Sequence, residues 1–176
     1  MILDLNSVLS SSQVLTVTAV STGVYDVAGL GVNVAATNIT GLVPGTLPTT
    51  AAMGEDLGGG GPNASAPQLG VFINTNFTAG GAATMRFQLE AAVDAGSGVP
   101  GTWDIIVQSD DIPVADLITS DNPIVSFTVP KRYPGQGFPR FYRLNYLIST
   151  GPMLTGALSA YLMTGIDDNP LYPANY

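Results

Sequence analysis

The side chains able to do chemistry in this sequence are few and fall into small groups. Four of the five basic residues crowd into one stretch, Lys131, Arg132, Arg140 and Arg143, and Arg86 is the fifth. Between Arg132 and Arg140 runs Tyr133-Pro134-Gly135-Gln136-Gly137-Phe138-Pro139, an aromatic- and glycine-rich loop entering a strand. Acidic neighbours occur at Asp110-Asp111 and Asp167-Asp168, with Glu55-Asp56 in a Gly/Pro-rich region. Trp103 is the only tryptophan, and histidine and cysteine are absent.

Without histidine the commonest general base and transition-metal ligand are missing, and no Ser–His–Asp or Cys–His arrangement can be assembled. Without cysteine there is no disulfide or thiolate metal site. Adjacent aspartates can bind calcium through flexible oxygen ligands, but neither pair has the spacing or the bidentate glutamate of an EF-hand. Solvated turn residues account for them better, because Asp bonds its own backbone in turns. The expectation is no enzyme, no cofactor and no metal. Trp103 opens a strand and reads as a core or rim anchor rather than a sugar platform.

The basic stretch stands against thirteen acidic groups and a net charge of −8. It gives the domain a positive edge suited to orienting it on a charged partner or pairing one subunit with the next. For Arg143 alone the favoured reading is an internal pair with an acid on a neighbouring strand. For the loop as a whole it is an interface carried by Lys131, Arg132, Tyr133, Phe138 and Arg140. The acidic balance argues against nucleic acid, whose backbone favours basic surfaces. Only 10% of residues are charged, against roughly 25% in an average soluble protein. The surface must be largely Ser, Thr, Asn, Gly and Ala, which suits protein contact because few charges need desolvating.

No apolar run reaches the ~20 residues of a membrane-crossing helix, so no membrane partner is expected. Met1–Asn6 has neither the basic region nor the apolar core of a signal peptide, which makes cytoplasmic synthesis the expectation. Asn-x-Ser/Thr triplets at Asn38, Asn63 and Asn76 read as chance occurrences without a secretory route.

The elements that must position these residues are strands. At 176 residues one domain with one core is expected. Period-2 alternation predicts strands over Gln13–Val20, Gly31–Thr40, Gln68–Thr75, Ala83–Val93, Thr102–Ser109, Ile124–Val129, Arg140–Ser149 and Leu154–Met163. The clearest is Ala83–Val93, with Met85, Phe87, Leu89 and Ala91 on one face and Thr84, Arg86, Gln88 and Glu90 on the other. The last two are expected to pair as a hairpin across Thr150-Gly151-Pro152, and Val114–Thr119 to form a single helical turn. About eight strands separated by Gly, Pro, Asn and Asp turns signify an antiparallel β-sandwich, a jelly roll. It occupies residues 1–165.

Two segments break this rhythm. Gly41–Pro67 is a long loop with Gly58-Gly59-Gly60-Gly61 at its centre, and loops of that length are either functional or disordered. Its glycines follow no strand and lack the Lys-Ser/Thr ending of a phosphate loop. The tail Ile166–Tyr176 carries Tyr172 and Tyr176, the large amphipathic side chains favoured at interfaces, and reads as a docked arm.

Taken in order, several of these stretches form a pattern. It runs from Val24-Tyr25-Asp26-Val27 and Gly54-Glu55-Asp56-Leu57-Gly58-Gly59-Gly60 to Trp103 and Ile112-Pro113-Val114-Ala115-Asp116-Leu117. It continues with Val129-Pro130, Arg140-Phe141-Tyr142-Arg143-Leu144-Asn145-Tyr146 and Gly156-Ala157-Leu158-Ser159-Ala160-Tyr161. This order resembles the jelly-roll capsid cement, or decoration, proteins of tailed bacteriophages over nearly the whole chain. Its sharpest part is the Arg-x-x-Arg-Leu-x-Tyr strand followed by the small-residue strand. The long Gly41–Pro67 loop departs from that pattern.

The resemblance implies a structural protein made in the host bacterial cytoplasm and carried on the outer capsid surface of the virion. Its partner is then the major capsid protein of an HK97-type shell, and it acts as a homo-oligomer, dimer or trimer. It bridges capsomers and reinforces the shell. The Lys131–Arg140 loop, Gly41–Pro67 and the tail become the shell- or subunit-facing surfaces, with multivalent contact raising avidity. The alternative reading is a carbohydrate-binding β-sandwich module of a phage fibre or surface protein, using an aromatic platform. A hydrolase built on paired aspartates ranks last.

Overall fold

The computed structural model describes residues 8–26, 67–96, 98–129 and 139–163. Ten strands follow in chain order: β1 Val8–Val14, β2 Ala19–Val20, β3 Tyr25–Asp26, β4 Gln68–Ala79, β5 Thr84–Asp94, β6 Pro100–Gln108, β7 Ile112–Pro113, β8 Val125–Thr128, β9 Phe141–Ser149 and β10 Met153–Met163. A 3-10 turn, Val114–Asp116, follows β7, where a helical turn over Val114–Thr119 was expected. The predicted strand Gly31–Thr40, the loop Gly41–Pro67 up to its last residue, and the tail Ile166–Tyr176 lie outside the described residues.

The strands form two antiparallel sheets, four strands in the order β1-β10-β4-β8 and six built on β2-β9-β5-β6. Short β3 and β7 extend the edges of the larger sheet by pairing with β9 and β5. Setting these two aside, the first strand pairs with the last, the second with the penultimate, the third with the third from the end, and the middle two with each other. A two-stranded ribbon rolled into two sheets has this pairing, and it is the jelly roll.

Both sheets turn their apolar sides inward. Leu69, Val71, Ile73, Leu158, Ala160 and Leu162 come from the smaller sheet, and Met85, Phe87, Leu89, Leu144 and Tyr146 from the larger. Phe87 meets Tyr146 edge-on with centroids 6.0 Å apart, a favoured aromatic geometry. The Tyr146 hydroxyl crosses to the other sheet and donates to Ser10 Oγ at 2.6 Å; Ser10 Oγ in turn donates to Gln13 Oε1 at 2.7 Å. A buried phenol thus keeps a partner inside an otherwise apolar core.

Three expectations are corrected. Gln13–Val20 is not one strand: β1 ends at Val14 and β2 begins at Ala19, with a corner between them in which Leu15 is buried. The alternation runs straight across a change of sheet, and at the corner Val14 and Val17 face solvent. Arg140–Ser149 and Leu154–Met163 do not form a hairpin, since β9 and β10 belong to opposite sheets. Their apolar faces do look at each other, but across the sandwich. Thr150 (φ 63°) and Gly151 (φ 115°) make the corner, and periodicity alone cannot separate a hairpin from such a corner. Finally, β4 runs on to Ala79, past the predicted end at Thr75, because its polar residues beyond Ile73 still pair with β10.

Candidate functional site

On β5 and β9, alternate residues project from the six-stranded sheet away from the core. In that position β5 places Arg86, Gln88 and Glu90, and β9 places Phe141, Arg143 and Asn145. Register sets Gln88 opposite both Gln108 and Asn145, and Glu90 opposite Arg143. The outer face is therefore built from transverse polar rows. Arg86 reaches Asp111 through Nε and Nη2 at 3.1 and 2.8 Å. Gln88 donates to Gln108 at 2.9 Å and accepts from Asn145 at 2.8 Å. Arg143 Nε donates to Glu90 at 2.6 Å, and its guanidinium carbon lies 4.2 Å from the Trp103 ring centroid. The internal pairing expected for Arg143 is thus present, with Glu90 on the adjacent strand.

Arg140 closes this face at the entry to β9. It binds Asp26 through both carboxylate oxygens at 2.8 and 3.0 Å, reaches Asp94 with Nη1, and lies 4.9 Å over the Phe141 ring. Its side chain is 16% exposed and that of Asp26 6%. Asp94 also accepts the backbone N–H groups of Gly96 and Gly98 in the β5–β6 turn. Those bonds, the Gly96 one foremost and with Arg140 beside it, hold the Asp94 carboxyl below the ordinary carboxylate range. The two aspartates, Asp26 foremost, push the guanidinium of Arg140 further towards its charged form.

Of the predicted interface residues, only Arg140 is among those described, and its guanidinium is engaged inside the fold. Lys131, Arg132, Tyr133, Phe138, Tyr172 and Tyr176 lie outside the described residues. Sequence reasoning missed Asp26 and Asp94 as partners of Arg140. They stand 114 and 46 positions away, and no local spacing signals a contact of that range. Trp103 is a rim anchor as expected, and the guanidinium of Arg143 lies across its ring, where a sugar platform would need an open face.

Among the described residues no group of three or more His, Cys, Asp or Glu could hold a metal. Asp111 of the adjacent pair is taken by Arg86, while Asp104, Asp110, Asp116 and Asp121 enter no ion pair with another described residue. The described arginines are all ion-paired, and the described acids outnumber them. The four strands of the smaller sheet contain no Asp, Glu, Lys or Arg at all.

The ends of the described segments are also not scattered. Gln68 pairs with Thr128 and with Met163, Val8 pairs with Tyr161, and Val129 N–H donates to Pro67 O at 2.8 Å. In the other sheet Asp26 pairs with Phe141. Because a three-residue corner joins Ser149 to Met153 at one end of the sandwich, Phe141 and Met163 both lie at the other. Residues 27–66, 130–138 and 164–176 therefore all attach to one and the same end, and so does the segment before Val8. The basic loop, the Gly-rich loop and the tail spring from one place.

No curated protein matches the chain. The family model described as Bbp16 matches residues 9–162, from the first core leucine of β1 to the last of β10. With the match covering both sheets of the jelly roll, this chain belongs to the Bbp16 family, a family of phage proteins.

Proposed function

We propose that this chain is a capsid cement, or decoration, protein that binds the outer surface of an assembled phage head. Its partner is the major capsid protein of an HK97-type shell. It bridges neighbouring capsomers and stiffens the shell against internal pressure, working as a homo-oligomer on the virion surface. The reading assigns no catalytic group and no cofactor.

The observation that carries it is the convergence of every long segment on one end of a rigid sandwich, in a protein of a phage family. A cement protein needs a stiff body that presents several contacts in one direction. Each contact can be weak, because simultaneous engagement of two capsomers multiplies affinity by about 10²–10⁴. The charge-poor surface supports the same reading, since few ions have to be desolvated on docking.

The test is reconstitution. Purified protein is added to heads lacking it, and both occupancy and the heat at which the heads release DNA are measured. Occupancy near that of the major shell protein, with release moved to higher temperature, is expected. Failure to sediment with heads at any stage of shell maturation sinks the proposal.

A further inference from the structure

The outer face of the four-stranded sheet combines an aromatic pair with unpaired neutral donors. Val71, Ala160, Leu162, Val125 and Phe127 point into the core, so their neighbours Gly70, Phe72, Ser159, Tyr161, Ser126 and Thr128 point away from it. Register sets Tyr161 beside Gly70, Gly70 beside Ser126, and Phe72 beside Ser159. The Phe72 and Tyr161 rings lie 6.1 Å apart between centroids, tilted by 48°, and both are partly exposed. Gly70 leaves room between them, since a Cβ there would run into Met163 Cε and press on the Phe72 ring.

On the six-stranded sheet the outward polar groups bond one another, Gln88 with Gln108 and Asn145, and Arg143 covers the Trp103 ring. Around Phe72 they do not. Ser126 and Thr128 are exposed and their hydroxyls bond no other described residue. Asn74, exposed two residues beyond Phe72, accepts from Ser159 through Oδ1 at 2.7 Å, and its amide N–H groups meet no other described residue.

This chemistry selects the ligand. The four strands carry no Asp, Glu, Lys or Arg, so a phosphate, a carboxylate or a charged peptide finds no ion to pair with. An apolar protein surface would cover the rings but strip water from Asn74, Ser126 and Thr128 without returning a bond, a cost that grows with each group. A neutral sugar matches both parts. Its C–H face lies on an aromatic ring, and its hydroxyls accept from the amide and exchange bonds with the serine and threonine. Adjacent strands stand ~4.8 Å apart, about the width of one sugar ring. Ser126, one strand over, and Asn74, further along β4, therefore flank a sugar seated on Phe72.

We propose that this face binds a neutral oligosaccharide, with Phe72 and Tyr161 as the stacking platform and Asn74, Ser126 and Thr128 as its hydrogen-bonding partners. The site lies on the sheet opposite the one that carries Trp103. It is a further binding function and does not depend on the capsid reading.

Calorimetric titration of the full chain with cellohexaose, maltohexaose and chitohexaose tests it, with the anionic hexagalacturonate alongside. At least one neutral hexamer is expected to bind with a Kd on the order of 0.1–1 mM, the strength of a few stacking and hydrogen-bonding contacts. The anionic hexamer should bind about tenfold more weakly or not at all. Phe72→Ala and Asn74→Asp should each weaken the neutral sugar by about tenfold, with circular dichroism unchanged, while Trp103→Leu leaves it as it was. If Phe72→Ala loses its circular dichroism, Asn74→Asp and Ser126→Asp, both at exposed positions, carry the test. Absence of binding by all three neutral hexamers at about 10 mM overturns the proposal. So does binding that the Phe72 and Asn74 variants leave unchanged, or that Trp103→Leu abolishes. A Phe72→Ala protein that keeps its sugar affinity yet falls off purified heads would give the face to a protein partner, overturning the sugar site and leaving the cement reading standing.

Discussion

Arg140 grips Asp26 through both carboxylate oxygens, Nε to Oδ1 at 2.8 Å and Nη2 to Oδ2 at 3.0 Å. The pair joins the residue before segment 27–66 to the residue just before β9, after segment 130–138. A planar guanidinium can hold both oxygens and still reach Asp94; an ammonium cannot. Arg140→Ala should therefore lower unfolding stability by about 2–3 kcal/mol, since it removes the bidentate partner of a nearly buried Asp26. Arg140→Lys should recover less than half of that. Urea midpoints at neutral pH decide, and a variant within a few tenths of the wild type would mean that the staple carries no weight.

Asp94 makes the acid limb of stability testable. Its carboxyl is held low by the Gly96 N–H, with Arg140 and Gly98 adding to it. A carboxylate depressed in the folded state contributes fully above its unfolded value, about 3.9, and loses that contribution as pH falls through the folded value. Asp94→Asn removes the linkage. Its urea midpoint should fall less steeply than the wild type's below about pH 4, the unfolded carboxylate range. Parallel profiles for the two proteins would contradict the assignment.

Much of this was legible from sequence, and the failures have a common cause. Alternation marked β5, β6, β8, β9 and β10 to within a residue or two, because a half-buried strand must alternate. It misread Gln13–Val20 because Leu15, Val17 and Ala19 alternate with Thr16 and Thr18 across a corner where the chain changes sheets. It misassigned β9 and β10 because residues facing each other across a core look, in one dimension, like residues paired in a hairpin. At the outer face, Arg143 was expected to find an acid nearby and finds Glu90. The partners of Arg140 were invisible, since Asp26 and Asp94 belong to other strands and only the rolled topology delivers them.

Trp103 and Arg143 provide a direct spectroscopic reading of that face. The ring is the chain's only tryptophan, and the guanidinium lies 4.2 Å from its centroid. A double-mutant cycle with Arg143→Met and Trp103→Leu should give a coupling of about 0.5–2 kcal/mol, the range of cation–π contacts at partly desolvated sites. In Arg143→Met alone the emission maximum should move, since the cation leaves the indole face. Additive stabilities would show that the stack is geometric only.

Gly156 allows a sharper structural prediction. Its φ is +137°, a region closed to L side chains, and a Cβ there would fall within the Phe77 ring. Gly156→Ala must both strain the backbone and displace a buried aromatic. The expected loss is about 3 kcal/mol or more, read as a lower thermal midpoint. Phe77→Leu in the Gly156→Ala background should recover part of it, by relieving the clash while leaving the strain. Equal stability of the single and double variants would locate the whole cost in the backbone.

Tyr146 governs the alkaline limb. Burial holds its phenol well above the ordinary tyrosine value. The protonated form is the one the folded core accepts. Stability is then undiminished below the unfolded value of about 10, and falls as pH rises from there towards the folded value. The slope should approach about 1.4 kcal/mol per pH unit for one proton. Tyr142, also raised by burial, adds to the same limb. Tyr146→Phe should cost about 1 kcal/mol at neutral pH, because Ser10 loses a partner. Above pH 10 that deficit should shrink and then reverse, since the variant has one fewer phenol to keep neutral. Urea unfolding from pH 8 to 11.5 checks both halves, and a deficit constant across that range would show that Tyr146 ionises as freely in the folded protein as in the unfolded chain.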